Sequence, residues 1–490
     1  MKKQLIILLL LLWSAITQAT TYYISSSGSD SNNGTSSITP FLTLSKVNSL
    51  TLVAGDQVLF KRGDSWYGQL VPKSGSALGD ITYSSYGTGN KPLIHSSSII
   101  TSASNWTNYS GNIWKNADPI LSNTELLVNA NDAANFSSIL YQANSPGAGT
   151  KTIDTGIYHS GTNSIKIACS GTGNVPNSMY LQYTSSFAMS AGKSYEFSFW
   201  TYGTSSGQID EAWSLTTSWG EIGKLQSAKT FPATTWTKMT YRFTAQNNYA
   251  ACMFLVRFGL GVTSGNSIYF DDFSFKEITG FYPNIEVCNL IFNNDRSFGK
   301  RKWSTGTLVN QGDWYWDGTN KVLYLYSNGI PSNVYQSIRT VNKLNLISAS
   351  SKSYITIDGL ALKYGDYGFV GSGTNHIAIK NCDIAYIGGS DAGSPVRKGN
   401  GIEFWASNSN ALVQNNKIWE CFDAGITGQS SVVSTVISNM TFKNNQVWNC
   451  EYGFEYFNIG SGSSTSNVLV ESNTFYNSGG GWGHSQRIVS

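Results

Sequence analysis

The sequence predicts an all-β chain in which a solenoid of parallel strands is interrupted by an antiparallel β-sandwich. Three observations predict it. A degenerate repeat with a two-residue apolar period fills the last third of the chain, similar strand signals occupy the first hundred residues, and a stretch of longer strands lies between.

The repeat is read from "YITIDGLAL" at Tyr354, "HIAIKNCDI" at His376, "ALVQNNKIW" at Ala411, "NMTFKNNQVW" at Asn439 and "NVLVESNTF" at Asn467. Aligning Ile357, Ile379, Val413, Phe442 and Val470 gives intervals of 22, 34, 29 and 28 residues. A short minimum with variable additions is what one solenoid turn with loop insertions produces. A helical repeat is excluded by the two-residue period and the β-branched composition. Asn381, Asn415 and Asn444 recur at equivalent places and are expected to form an internal ladder at a turn. Cys421 and Cys450 are likewise equivalent, so stacked buried thiols are expected rather than a disulfide.

Each repeat carries a second strand about a dozen residues on: "DYGFV" at Asp366, "GNGIEFW" at Gly399, "DAGIT" at Asp423 and "EYGFEYF" at Glu451. Residues two apart in a strand share a face. Glu451, Gly453 and Glu455 therefore fall on one side and Tyr452, Phe454 and Tyr456 on the other. The apolar set fills the interior, and the glutamates face outward. Registering Gly368, Gly401, Gly425 and Gly453 adds Asp366, Glu403, Trp405 and Asp423 to the outer face, with Val370, Thr427 and Phe457 nearby.

Stacked coils repeat at the inter-strand spacing of about 4.8 Å. Asp423 then lies one coil from Glu451, and Glu403 two coils from Glu455. Glycosidases need two carboxyls, about 5 Å apart for retention and roughly 6.5 to 9.5 Å apart for inversion. Both separations are available, so the stereochemistry stays open. Crowded carboxylates also raise one another's pKa, which a general acid requires. The candidate catalytic residues are Glu403, Asp423, Glu451 and Glu455, and solvation of a surface is the plainer role for any one of them. The longest repeat interval inserts "GGSDAGSPVRKG" before Glu403, where Arg397 and Lys398 either grip a sugar or solvate a loop. Trp405 flanks the acids. His484 faces out beside them or inward, depending on a one-residue slip.

At the start of the chain, Met-Lys-Lys and the apolar run Leu5 to Trp13 lead to small and polar residues at Thr17-Gln18-Ala19. This is the pattern of a cleavable secretory signal over residues 1–19, too short to span a membrane. Secretion or export to the periplasm is expected, with no membrane span. Without the signal the net charge is near +1. That balance argues against a nucleic-acid partner and offers no broad basic field for a polyanion. Only 12% of residues are charged and 13% are aromatic, a mixture suited to short strands and sugar contacts. Residues 20–121 read as a cap and first coils, with the amphipathic segment Leu44 to Leu50 as a capping helix.

Residues 122–278 carry "SIKIACSG", "SYEFSFWTYG", "TWTKMTYRFTA", "CMFLVRFGL" and "SIYFDDFSFKEI", whose separations fit an antiparallel sandwich. Trp213 and Trp219 flank "SLTTS" in its least strand-like part and are the candidate ligand contacts there. Trp200 and Trp236 are assigned to its core or strand ends. Afterwards "PNIEVCNLIFNN" and "GDWYWDGTNKVLYLYS" read as solenoid again, giving 279–490 as the continued β-helix and making the sandwich an insertion.

The opening "YYISSSGSDSNNGTSSITPFLTLSKVNSL", the later "AGDQVLFKRGDSWYGQL" and the Asn-rich repeats resemble secreted bacterial right-handed parallel β-helix proteins of the pectin-lyase-like superfamily. The likeness covers about 20–121 and 281–490. "SGTNSIKI", "AGKSYEFSFWTYG", "FPATTWTKMTYRFTA" and "NSIYFDDFSFKEI" resemble family 4/9 carbohydrate-binding modules, which implies a galactose-binding-like jelly roll. The resemblance implies a polysaccharide partner and allows a structural calcium ion near Asp271 and Asp272, although "NANDAANFSS" replaces the usual Gly-Phe-Glu at the module's start. No other cofactor and no catalytic metal are expected. The chain ends at "GGGWGHSQRIVS" without a recognisable cap, as expected of a truncated solenoid or one capped by another molecule. The leading expectation is a glycoside hydrolase acting on polysaccharide. A lyase acting on a uronate-containing glycan and a non-catalytic glycan-binding surface protein are the alternatives.

Overall fold

The computed structural model describes residues 19–116, 121–127, 139–144, 148–171, 175–183, 185–190, 193–216, 221–224, 228–245, 249–279, 285–389 and 397–482. The described residues are nearly all strand and turn, as expected of an all-β chain. Among them no helix is long and apolar enough to cross a membrane. The chain divides into two compact units. One runs to Ile99, resumes over Val287–Arg301 and continues from Arg339. The other comprises Ile100–Glu286 and Lys302–Ile338.

The first unit contains two sheets of parallel strands between which the chain alternates. One sheet runs in the order Thr21–Ile24, Gln57–Lys61, Ile81–Tyr86, Ser353–Asp358, Phe369–Lys380, Ile402–Gln414, Ala424–Ser430 and Tyr452–Asn458. The other runs Ser65–Tyr67, Leu93–His95, Ala361–Lys363, Asp383–Ile387, Lys417–Cys421, Gln446–Trp448 and Thr474–Tyr476. Alternating apolar residues explain the stacking, because Ile355, Ile377, Ala411, Met440 and Val468 pair in register, and the first four are buried. Ile81–Tyr86 pairs directly with Ser353–Asp358, so coils far apart in sequence are neighbours in space. The expected helix is present over Leu44–Ser49, with Thr43 Oγ1 accepting from the Lys46 N–H and with Leu44 and Val47 buried in the core.

The internal asparagine ladder lies one residue along from the expected positions. Asn416 Nδ2 donates to Asn445 Oδ1 at 2.9 Å, and Asn445 Nδ2 donates to Asn473 Oδ1 at 2.9 Å. Asn381, Asn415 and Asn444 instead take positive φ values of 53°, 58° and 56° and remain exposed at the turn. Asparagine tolerates this left-handed geometry better than other residues with a Cβ. All six cysteines are free and buried. Burial and the neighbouring Cys450 push the Cys421 thiol well above its ordinary range.

In the second unit, a five-stranded and a seven-stranded antiparallel sheet share one core rich in phenylalanine, including Phe197, Phe199, Phe254, Phe270, Phe273 and Phe275. "GDWYWDGTNKVLYLYS" differs from its expected role as coil. Trp314 pairs antiparallel with Leu325, and Tyr326 pairs antiparallel with Ile113, so the segment is a hairpin of this second unit.

Candidate functional site

The acids come together on the first parallel sheet. Parallel pairing sets Glu403 opposite Thr427 and Thr427 opposite Glu455, with Trp405, Gln429 and Phe457 forming the next outward row. Ile402, Ile426 and Phe454, one position earlier, pack into or against the core. The glycine row has its own cause. A Cβ on Gly401 would lie 2.5 Å from the Gly425 carbonyl oxygen and 2.8 Å from Ile418 Cγ2, so the corner entering the strand admits no side chain.

Two expectations need correction. The acids were expected to be solvated, yet Glu403, Asp423 and Glu451 are only 7%, 8% and 7% exposed. Asp366, at the same corner, is also buried. The alternation also fails at the corner, where Tyr452 turns out to solvent instead of into the core. Strict two-residue alternation holds only inside the strand, which begins at Tyr452, so Glu451 belongs to the bend before it.

Buried carboxylates need partners. Asn400 Nδ2 donates to Glu403 Oε2 at 2.5 Å, and Gln429 Nε2 donates to the same oxygen at 3.3 Å. Both amides are fixed in turn. Asn400 Oδ1 accepts from the Ala424 N–H at 2.8 Å, and Gln429 Oε1 accepts from the Thr427 hydroxyl at 3.0 Å. Arg397 pairs with Glu451 at 3.2 Å, donates to the Phe422 carbonyl at 3.1 Å and lies over the Phe422 ring. Arg397 is thus held by partners within the protein, where the sequence left a grip on a sugar and solvation of a loop as alternatives.

The electrostatics separate the acids. Burial pushes Asp423 up to about 6, against the pull of Arg397 and with a further push from Glu451. Burial, then the charges of Asp423 and Glu403, push Glu455 up to about 7. Glu403 is also raised, chiefly by burial, while its two amide donors oppose the shift. Burial and the charges of Glu403, Asp366 and Asp423 drive the Tyr367 phenol far above its ordinary range. Such a cluster can hold a proton on one carboxyl and a charge on another at near-neutral pH.

Sequence reasoning missed Asn400, Gln429 and Tyr367. Asn400 and Tyr367 sit inside the quoted "GNGIEFW" and "DYGFV" motifs, and Gln429 shares the outward row of Trp405. Trp405 is half-buried on the expected face. Trp213, in the second unit, packs with Tyr180 on Met253 and Leu255, donates to Glu211 Oε2 at 3.0 Å and has Arg257 over its ring. Trp219 and His484 lie outside the described residues.

The aspartates considered for calcium are held by a turn. Asp271 Oδ2 accepts from the His159 and Ser160 N–H groups, and Asp272 Oδ2 lies 2.6 Å from His159 Nδ1. That imidazole stacks on Trp200 at 3.7 Å and meets Trp236 edge-on. These contacts give both carboxylates donors from the protein, and among the described residues no group of three or more His, Cys, Asp or Glu side chains is placed to hold a metal ion.

Residues 322–486 match the family described as a right-handed β-helix region. No curated protein gives a match. A GH136 lacto-N-biosidase from Eubacterium ramulus aligns over 94% of this chain and 57% of its own length, at 12% identity and a TM-score of 0.33. The CBM22-1–GH10 modules of Clostridium thermocellum xylanase 10B, solved with xylohexaose, align over 31% of this chain and 28% of theirs, at 15% identity and TM-score 0.24. A CBM4 structure aligns over 32% of this chain and 95% of its own, at 18% identity and TM-score 0.22. This chain thus spans little more than half of the biosidase and about a quarter of the xylanase fragment. Likenesses this distant do not bear on function.

Proposed function

We propose that the protein is a secreted polysaccharide-degrading enzyme that hydrolyses glycosidic bonds at the buried carboxylates of a right-handed β-helix, with an inserted sandwich holding the polymer. The observation that carries this reading is the gathering of Glu403, Asp423, Glu451 and Glu455 on neighbouring coils of one sheet, the first three buried, where burial and mutual charge raise Asp423 and Glu455. Hydrolysis needs one carboxyl to hand its proton to the departing glycosidic oxygen. It also needs one carboxylate to act on the anomeric carbon, directly or by deprotonating a water. Glu455, with the higher pKa, is the proton donor in this reading. Asp423, steadied by Arg397, is the carboxylate. Glu403 helps to raise Glu455, and Asn400 and Gln429 position Glu403.

Trp405 and Phe457 would border the sugar rings, and Trp213 supplies an aromatic contact in the sandwich. Tethering by a second module raises the local concentration of substrate at the cleft. The test is incubation of the purified chain with a panel of plant and algal polysaccharides. New reducing ends without an unsaturated, ultraviolet-absorbing product support hydrolysis. Growth of that absorbance means elimination, and retention on a polymer without either product means binding alone.

A further inference from the structure

The second parallel sheet carries a cleft that plays no part in this chemistry. It has a volume of about 620 Å³ and is lined by Asp64, Lys91, His95, Arg339, Lys363 and Asp383, among others. That is in the range of small-molecule sites and several times the size of an inorganic ion. In-register pairing places Tyr67, His95 and Lys363 in one row across three successive strands.

The acids of the cleft already have partners. Lys91 Nζ donates to Asp383 at 2.7 Å, and Asp64 accepts from the Ser25 hydroxyl and the Ser26 N–H. Asp295 accepts from the hydroxyl of Tyr364, a lining residue, at 2.7 Å and lies 3.8 Å from Arg339. Lys363 differs. Among the described residues no carboxylate is within ion-pair distance of its ammonium, which lies 4.9 Å from the centre of the Trp419 ring. Its pKa is lowered, first by burial and further by Arg339 and Lys91, while Asp383 and Asp295 pull it back from a distance. A half-buried cation facing two other cations without a contacting carboxylate is costly, and an anion in the cleft would offset that cost.

Arg339 and His95 add donors. Arg339 donates to Ser97 Oγ at 3.0 Å, and that hydroxyl lies 3.0 Å from His95 Nδ1. The Ser97 backbone N–H also points at Nδ1, so Nδ1 accepts and Nε2 carries the proton. Burial and the Arg339 charge hold His95 down to about 4, so the ring is neutral near pH 7 and offers one N–H. Tyr67, 45% exposed and edge-on to His95, presents an aromatic surface beside these donors.

We propose that the cleft formed by His95, Arg339 and Lys363 binds the anionic substituent, carboxylate or sulfate, of an acidic sugar whose ring lies against Tyr67. That the anion is part of a glycan rests on the function proposed above, whereas the anion chemistry stands on the cleft alone.

The test is calorimetric titration of the full-length D423N variant, which keeps the ligand intact, with three tetrasaccharides. A galacturonic acid tetramer carries carboxylates, a carrageenan tetrasaccharide carries sulfates, and cellotetraose carries neither. At least one acidic ligand is expected to bind, more weakly at high salt. Adding K363M should weaken that binding at least tenfold, adding K363R should largely preserve it, and cellotetraose should be unaffected by either. If K363M lowers the melting temperature sharply, R339Q takes its place with the same expectation. Absence of binding by both acidic ligands, or binding unchanged in K363M and R339Q, overturns the proposal. The ligand that binds identifies carboxylate or sulfate. Failure of the hydrolase reading would appear in the polysaccharide panel and leave this titration unaffected.

Discussion

Glu403 and Glu455 stand in the same outward row two coils apart, and the residue between them, Thr427, is fully buried. Thr427 fixes Gln429, which donates to Glu403, so the spacer also orients one of the acids it separates.

Glu455→Gln and Asp423→Asn are each expected to lower kcat by a factor of about 10³ or more, in line with loss of a general acid or of the attacking carboxylate. Retention on the polymer should be unchanged. Steady-state kinetics beside an affinity pull-down checks this, and full activity in both variants would remove the proposed site.

Activity should follow a narrow bell in pH. Asp423 must lose its proton near 6 and Glu455 must keep its own until near 7, so kcat/KM is expected to peak between those values. Measurement of the profile in Glu403→Gln should show the alkaline limb moving to lower pH, because one of the charges that raises Glu455 is gone.

Stability should move the opposite way from that of a salt-bridged carboxylate. The folded pKa values of Asp423 and Glu455 lie above their ordinary values of 3.8 and 4.5, so the native state binds more protons between those limits. Unfolding free energy therefore falls as pH rises from about 4 to about 7. Asp423→Asn should abolish its share, on the order of 3 kcal/mol for a rise from 3.8 to about 6, and raise the melting temperature at pH 8 relative to wild type. Thermal melts at pH 5 and pH 8 test the sign.

Gly401→Ala should destabilise the fold by about 1 to 3 kcal/mol, the cost of forcing a methyl group into a packed corner. The Gly425 carbonyl oxygen, 2.5 Å from the added carbon, belongs to the next coil and cannot easily yield. Chemical denaturation reads the loss directly.

Trp213→Ala should weaken retention on the polymer about tenfold or more if the indole is a ligand contact, with kcat on short substrates unchanged. Unaltered retention would assign Trp213 to packing on Met253 and Leu255 alone.

The register of the acids was legible because a two-residue period and a repeated glycine fix which positions face the same way. Glu403, Thr427 and Glu455 fall where that reading puts them. Their depth was not legible, because burial is set by what covers a face and not by which face a residue occupies. The pairing of Arg397 with Glu451 joins an insertion to a later coil, a contact no local pattern encodes. The asparagine ladder was misplaced by one position for a physical reason. In the doublets Asn415-Asn416 and Asn444-Asn445 the first residue turns the chain at positive φ and the second points inward, and composition treats the two alike.

The direct pairing of Ile81–Tyr86 with Ser353–Asp358 has a consequence during synthesis. The early strands emerge from the ribosome long before the strand that completes their sheet, separated from it by the whole stretch from Tyr86 to Ser353. At a translation rate of about 10 residues per second, that nascent edge waits roughly half a minute for its neighbour, open to any other extended chain. Closing so long a loop also makes this step slow relative to the short-range zipping of the later coils.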